Sequence, residues 1–294
     1  MTGVQAYLTM TGGSFDTDLV TERIGLAPDI LKRREAGPHG EVSTEWGIRT
    51  ELEISPNDEV EPVLRSLLSR IPCGPQVLCD TARECSAVWS IRLILETYDW
   101  EAPIIIFYQD ILQYAAQIHA DIGVENSLYM TEEPEDDFEA FGPLKNVFEN
   151  ARTLTLKNAF GNTQTVMKAY LTLIGDSFDT GLVTKQIGMT PDNLRRPDEV
   201  LGNGMLFGHT EWGIATELEV CDHVGPLLRK LFDRIPCCSQ ALYEVARTHT
   251  AEWHILILVK MYEKKFPALY FPRDVIRYIA QLHGAIGFDD YFLF

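Results

Sequence analysis

The chain has 294 residues, 43 of them acidic and 25 basic, for a formal net charge of −18, and it is 46% apolar and 10% aromatic. That length holds two ordinary domains, each with its own core, and the composition is globular. The negative surplus excludes nucleic acid and anionic membrane as partners, because both carry the same sign, and favours a cationic one. No apolar run reaches the roughly 20 residues of a membrane span. Residues 1–15 lack the basic and apolar regions of a signal peptide, so a cytoplasmic protein is expected. The six cysteines (Cys73, Cys79, Cys85, Cys221, Cys237 and Cys238) form no C-x-x-C pair. They are expected as buried free thiols inside helices and strands, without a zinc site.

In chain order, nearly everything occurs twice. Ala6-Tyr7-Leu8-Thr9-Met10 alternates as a half-buried strand does, and Ala169-Tyr170-Leu171-Thr172-Leu173 matches it. Ser14-Phe15-Asp16-Thr17 and Ser177-Phe178-Asp179-Thr180 each open a short helix. Asp16 and Asp179 are placed to cap it, Phe15 with Val20 and Phe178 with Val183 to staple it, and Gly25 and Gly188 to end it in the left-handed region. Pro28-Asp29-Ile30-Leu31-Lys32-Arg33 and Pro191-Asp192-Asn193-Leu194-Arg195-Arg196 read as matching loops, Gly-rich afterwards. Lys32, Arg33, Arg195 and Arg196 are candidate anion ligands, although neutralising neighbouring acids is the favoured role for such cations.

Glu45-Trp46-Gly47-Ile48 returns as Glu211-Trp212-Gly213-Ile214, each within a predicted strand of period two. Trp46, Ile48, Thr50, Leu52 and Ile54 fall on its buried face, as do Trp212, Ile214, Thr216, Leu218 and Val220. Arg49, Glu51 and Glu53 fall on the other face, as do Ala215, Glu217 and Glu219. Val63, Leu64, Leu67, Leu68 and Ile71 recur at helical spacing, matched by Val224, Leu227, Leu228, Leu231 and Ile235. Both helices stop at Arg-Ile-Pro-Cys, and a second helix follows over 77–84 and 241–247. Trp89, Ile91, Leu93 and Leu95 alternate with Ser90, Arg92, Ile94 and Glu96. The matching strand carries Leu256 and Leu258 on its second face, and this two-sided apolar pattern places it at a sheet centre or an interface.

Strands over 104–108 and 268–271 precede the last helix of each copy, where Asp110 is read as a cap and Ile111, Leu112, Ala115, Ile118 and Ile122 as one stripe closed by Gly123. Asp274 to Gly287 repeats it. His119 and His283 sit at matching places beside that stripe. A ligand or proton-transfer role is weighed there against a helix-end histidine favoured by the dipole, and the latter is preferred. Short strands over 127–130 and 291–294 close the copies. The copies are thus delimited as 1–130 and 167–294. Between them, 131–166 forms an acidic bridge containing Glu132, Glu133, Glu135, Asp136 and Asp137, with Phe138, Phe141, Leu144 and Phe148 at roughly helical spacing.

These elements predict an α+β fold of two homologous repeats, each a mostly antiparallel sheet covered by helices on one side, arranged as a monomeric pseudo-dimer. The Ser-Phe-Asp opening, the Glu-Trp-Gly-Ile strand and the helix closing on Ile-Gly together resemble a bacterial family of small uncharacterised domains, usually single and here in tandem. The resemblance implies proteins encoded beside polymorphic toxins, acting as immunity proteins, with no catalytic residues and no cofactor to carry over. The expected function is therefore a non-enzymatic immunity protein that binds a cognate, cationic toxin, with Glu51, Glu53, Glu217, Glu219 and the bridge acids as contacts. Two alternatives stay open. One is a hydrolase using Asp16, Glu45 and His119 with their repeats Asp179, Glu211 and His283. The other is an anion- or nucleotide-sensing scaffold built on the paired cations.

Overall fold

A computed structural model describes residues 2–34, 43–55, 59–98, 105–129, 165–199, 208–221, 223–261 and 269–292. The acidic bridge, with Glu132, Glu133, Glu135, Asp136 and Asp137, lies outside them. The first repeat comprises β1 (Thr2–Gly12), α1 (Thr17–Ile24), β2 (Ile30–Arg34), β3 (Ser43–Arg49), β4 (Glu53–Ser55), α2 (Glu61–Ser69), α3 (Pro75–Glu84), β5 (Ala87–Tyr98), β6 (Ile106–Phe107), α4 (Gln109–Gln117) and β7 (Asp121–Tyr129). The second follows the same order: β8 (Val166–Gly175), α5 (Thr180–Ile187), β9 (Asn193–Arg195), β10 (Thr210–Ala215), β11 (Glu219–Val220), α6 (Val224–Asp233), α7 (Ser239–His249), β12 (Glu252–Met261), β13 (Leu269–Phe271), α8 (Arg273–Leu282) and β14 (Ala285–Phe292). The fold is α+β with two homologous repeats, as the pattern predicts.

Among the described residues each sheet has seven strands. β1 pairs antiparallel with β3, β4 and β5, and β5 pairs parallel with β7. The second sheet repeats this with β8, β10, β11, β12 and β14. Period two sets the layers. Val4, Ala6, Leu8 and Met10 on β1, Trp46 and Ile48 on β3, and Trp89, Ile91, Leu93 and Leu95 on β5 are all buried on the helix-covered face. Trp46 meets Trp89 edge-on at 6.0 Å, and Trp212 meets Trp253 at 6.2 Å. Each indole N–H is satisfied: Trp46 and Trp212 donate to Thr21 and Thr184 hydroxyls, Trp89 and Trp253 to the Leu78 and Leu242 carbonyls.

The sheets are completed by exchange. β13 of the second repeat pairs with β7 of the first sheet, and β6 of the first repeat pairs with β14 of the second. Phe107 and Phe271, fully buried on these two exchanged strands, meet edge-on at 6.0 Å. The prediction of a pseudo-dimer did not contain this interleaving.

Four local expectations are corrected. The Trp46 strand does not run on through Ile54, because one extra residue enters at Thr50–Glu53. Thr50 donates its N–H to the Ala6 carbonyl while its hydroxyl accepts from the Ala6 N–H, so a side chain replaces a strand carbonyl. Pairing resumes with Glu53 opposite Val4, one residue later than unbroken alternation requires. Leu52 is consequently 48% exposed, and its Cδ1 lies 3.3 Å from where a Cβ on Gly3 would stand, on the helix-free side. Thr216 makes the same pair of bonds to Ala169. Second, the cation segments are edge strands β2 and β9, not loops. Third, the last helices stop at Gln117 and Leu282. His119 and His283 then turn the chain at φ 55, and the alternation of Ile122 and Val124 belongs to β7, a full-length strand. Fourth, Asp110 and Asp274 lie inside the first helical turn; the N-caps are Tyr108 and Pro272. Asp110 pairs instead with Arg65, and Asp274 with Arg229 at 2.7 Å.

Candidate functional site

Among the described residues, helices cover one face of each sheet and no element covers the other, and it is on that other face that the two repeats diverge. On the first sheet, one row of pairing partners reads Arg49, Tyr7, Arg92, Gly123, Tyr270. On the second, the equivalent row reads Ala215, Tyr170, Leu256, Gly287, Ile106. The neighbouring rows give Gln5 and Ile94 against Lys168 and Leu258, and Thr9, Ser90 and Asp121 against Thr172, His254 and Ala285. The first face is thus polar and the second largely apolar.

The first face satisfies its own charges. Glu45 lies 3.6 Å from Arg92 and 3.7 Å from Lys32, and Arg92 also donates to the Thr9 hydroxyl at 3.4 Å. Asp121 accepts the Arg273 backbone N–H at 2.8 Å and the Tyr270 hydroxyl. Burial and this bond to Asp121 push the Tyr270 phenol up to about 12. Asp121 therefore anchors the exchanged strand, and its counterpart in the second repeat is Ala285.

The second face has its own ties, among them Asn193 to Glu211 at 3.4 Å and Glu252 to His254 at 3.7 Å. Leu256 is 39% exposed, and over the side-chain-free Gly287 it comes close to Ile106: a Cβ there would stand 3.9 Å from Leu256 Cδ1 and 4.0 Å from Ile106 Cγ1. His254 lies in the adjacent row, and burial holds its imidazole below the usual range against the opposing pull of Glu252. Glu211, bonded by His209 at 3.2 Å, and Glu252, with 82% of its side chain exposed, stand at one margin.

The residues proposed for catalysis are divided among separate structural tasks. Asp16 accepts from the N–H groups of Asp18 and Leu19 at 2.9 and 3.2 Å, and Asp179 from those of Gly181 and Leu182 at 2.9 and 3.1 Å, so both are helix caps. Glu45 belongs to the ion pairs just described. His119 accepts from Arg277 at 3.3 Å, and His283 accepts from Gln109 at 2.5 Å while stacking on Tyr243 at 4.3 Å. These histidine contacts join α4 to α8 about Ala116 and Ala280, beside a shallow cleft of about 300 Å³ lined by Gln113, Gln117, Gln240, Arg277, Gln281 and His283. Among the described residues no group of three or more His, Cys, Asp or Glu side chains is placed to hold a metal ion.

The acidic contacts predicted for one face are split by the extra residue. Glu51 and Glu217 are exposed beside the bulge. Glu53 and Glu219 belong to the helix-covered side, where Glu219 pairs with Lys230 of α6. Lys32 and Arg33, neighbours on a strand, point to opposite faces and cannot close on one anion. Lys32 pairs with Glu45. Arg195 stands opposite Glu211 on β9, and Arg196 follows the strand end. The cysteines are half-buried and Cys238 is exposed; all are free, and Cys73 lies between helices.

Two further residues of the duplicated motifs form a latch. Asp192 accepts from the Ala215 N–H at 2.8 Å and from Arg234 at 2.7 and 3.0 Å, and Arg234 also bonds the Ala215 carbonyl. Asp29, Arg49 and Arg70 repeat it. The latch explains why Pro-Asp and Arg-Ile-Pro-Cys recur together. A family model described as Domain of unknown function (DUF4279) matches residues 2–129 and again 164–293. The chain belongs to this family. It carries two DUF4279 domains in tandem. No curated protein and no solved structure matches it, and no helix among the described residues is long and apolar enough to cross a membrane. What the two DUF4279 domains share (caps, latch, tryptophan pair, exchanged strands) is architecture, and on the face that no described element covers they part.

Proposed function

We propose that this protein is a non-enzymatic immunity protein: it binds a cognate, cationic bacterial toxin in the cytoplasm and neutralises it by occupying its surface. The observation that carries the reading is the fate of the chemically capable residues. Asp16, Glu45 and His119, with Asp179 and His283, serve as caps, ion pairs and chain-reversal contacts, which leaves them poorly placed to converge on a substrate. What the molecule offers instead is surface charge. A net charge of −18 accelerates encounter with a cationic protein and disfavours anionic competitors.

Neutralisation by binding requires a stoichiometric complex. The tagged protein is expressed in its native host, its partner is identified by mass spectrometry, and that partner is then expressed with and without the protein. A partner that kills alone, is harmless together with this protein and co-purifies with it at a fixed ratio supports the reading. Protection without a complex would instead indicate enzymatic reversal of the toxin's action. Association is expected to slow steeply with salt, as the Debye length falls from about 10 Å at 0.1 M to about 3 Å at 1 M.

A further inference from the structure

We propose that the cleft between α4, α7 and α8 binds a small oxyanion, a carboxylate or a phosphate, through the Arg277 guanidinium and the side-chain N–H groups around it. The cleft holds about 300 Å³, and its polar lining is Gln113 and Gln117 from the first domain and Gln240, Arg277, Gln281 and His283 from the second. Among the described residues no Asp or Glu lines it, although the chain has 43 acidic residues against 25 basic. The other arginines on α6, α7 and α8 each pair with a carboxylate: Arg229 with Asp274, Arg247 with Glu244 and Arg273 with Asp121. Arg277 makes no ion pair among the described residues, and its hydrogen bond there goes to the His119 imidazole at 3.3 Å. Duplication supplies an internal control. Asp274-Val275-Ile276-Arg277 matches Asp110-Ile111-Leu112-Gln113, so the second copy carries a permanent charge where the first carries an amide.

The neighbouring groups are oriented by their own bonds so that donors are left over. Gln281 accepts the Ser239 hydroxyl on Oε1 at 2.6 Å, which leaves its amide hydrogens without a partner among the described residues. His283 accepts on Nδ1 from Gln109 at 2.5 Å and from Gln113 at 3.4 Å, so the proton of the neutral ring sits on Nε2 as a donor. Gln117 is exposed and makes no hydrogen bond among the described residues. Gln240 is committed elsewhere, its amide donating to Glu244 at 3.2 Å. Arg277, Gln281, His283 and Gln117 therefore supply N–H groups with no ionised acceptor beside them. A cation would be repelled there, and an apolar molecule would leave those donors unpaired. A carboxylate or phosphate accepts from all of them, and two of its oxygens match the guanidinium fork. The inference rests on no part of the immunity reading, and either can fail without the other.

The test uses the full chain. Inorganic phosphate and, separately, succinate are titrated into it by calorimetry at an ionic strength held with sodium chloride, up to about 10 mM, which saturates a site of millimolar Kd or tighter. Three variants are compared with wild type. Arg277→Gln installs the residue that the first domain carries at the matching place, Gln117→Ala removes an exposed amide, and Arg83→Gln removes the same charge from a remote, 68% exposed side chain on α3. The expected result is saturable one-to-one binding of at least one probe by wild type and Arg83→Gln, within about twofold of each other. Binding is expected to weaken by at least about tenfold in Arg277→Gln and by about threefold in Gln117→Ala. Tighter binding of phosphate would assign a phosphate-bearing ligand, and tighter binding of succinate a carboxylate. Equal affinity in wild type and Arg277→Gln overturns the site, and equal weakening by Arg83→Gln reduces the effect to net charge and overturns it too. So does the absence of saturable binding of both probes. Unchanged melting verifies the fold of each variant; should Arg277→Gln melt lower, Gln117→Ala decides, and unaltered affinity in it then overturns the site.

Discussion

Reciprocal strand exchange makes the two domains one cooperative unit, and Phe107→Ala tests this. Phe107 is fully buried on β6, which belongs to the first repeat but lies in the second sheet, and its ring meets Phe271 of the reciprocal strand at 6.0 Å and 71°. Truncating a buried phenylalanine costs about 3–5 kcal/mol through lost burial and the cavity left behind. The edge-to-face pair adds a coupling of about 1 kcal/mol, readable in the cycle with Phe271→Ala. Against a total stability of about 5–15 kcal/mol, the loss is a large fraction. Urea unfolding followed by fluorescence resolves the domains, since Trp46 and Trp89 report on the first core and Trp212 and Trp253 on the second. Versions with Trp100 and one pair replaced by phenylalanine are expected to show the same midpoint shift for both domains, because neither sheet is complete without the other's strand. Two separate transitions, only one of them moved by Phe107→Ala, would refute the exchange as a source of cooperativity.

Three further predictions concern single contacts. Asp192→Ala removes three hydrogen bonds of the latch and is expected to cost about 1–2 kcal/mol in urea unfolding, with Asp29→Ala comparable. Arg234 holds the Asp192 carboxyl below its ordinary 3.8, so the latch's contribution is present above that value and is lost as pH falls through the lower folded one. Arg234→Ala should therefore flatten the acid limb of the stability curve. Burial pushes the Tyr114, Tyr270 and Tyr278 phenols up to about 12, assisted at Tyr270 by the bond to Asp121. Phenolate absorbance should show a late-titrating class of tyrosines, with stability intact below pH 10 and declining towards pH 12. Asp16→Ala and Asp179→Ala should each cost about 1 kcal/mol in thermal melts and add in the double variant, the caps belonging to separate helices.

Local periodicity made the repeats, the helix-capped openings and the tryptophan-bearing strands legible, because each is set by residues within one turn or one pleat. The bulge was hidden because Thr50 looks like any other inward strand residue until its hydroxyl takes the place of a carbonyl. The last helix was drawn too long because Ile118 and Ile122, four apart, imitate a helical stripe across the chain reversal at His119. Exchange is invisible to periodicity altogether: Ile106-Phe107 reads as a short strand whichever sheet receives it. The divergence of the two outer faces left one trace, Leu256 where the first copy carries Arg92, and it became readable only once β5 and β12 were seen to be equally central.

The two histidines offer a last discrimination between architecture and chemistry. Both hold φ 55, a region where a residue with a Cβ is strained by about 1 kcal/mol relative to glycine. Their compensation differs. His119 has one exposed bond to Arg277 at 3.3 Å, worth little in water. His283 accepts from Gln109 at 2.5 Å and stacks on Tyr243 at 4.3 Å. His119→Gly should therefore be neutral or stabilising by up to about 0.5 kcal/mol, whereas His283→Gly should cost about 1 kcal/mol. Opposite signs in thermal melts, with the proposed neutralising activity unchanged in both variants, are what a structural role requires. Equal effects on stability accompanied by loss of neutralisation in both would mean that the two residues share a chemical task, and the hydrolase alternative would then displace the binding one.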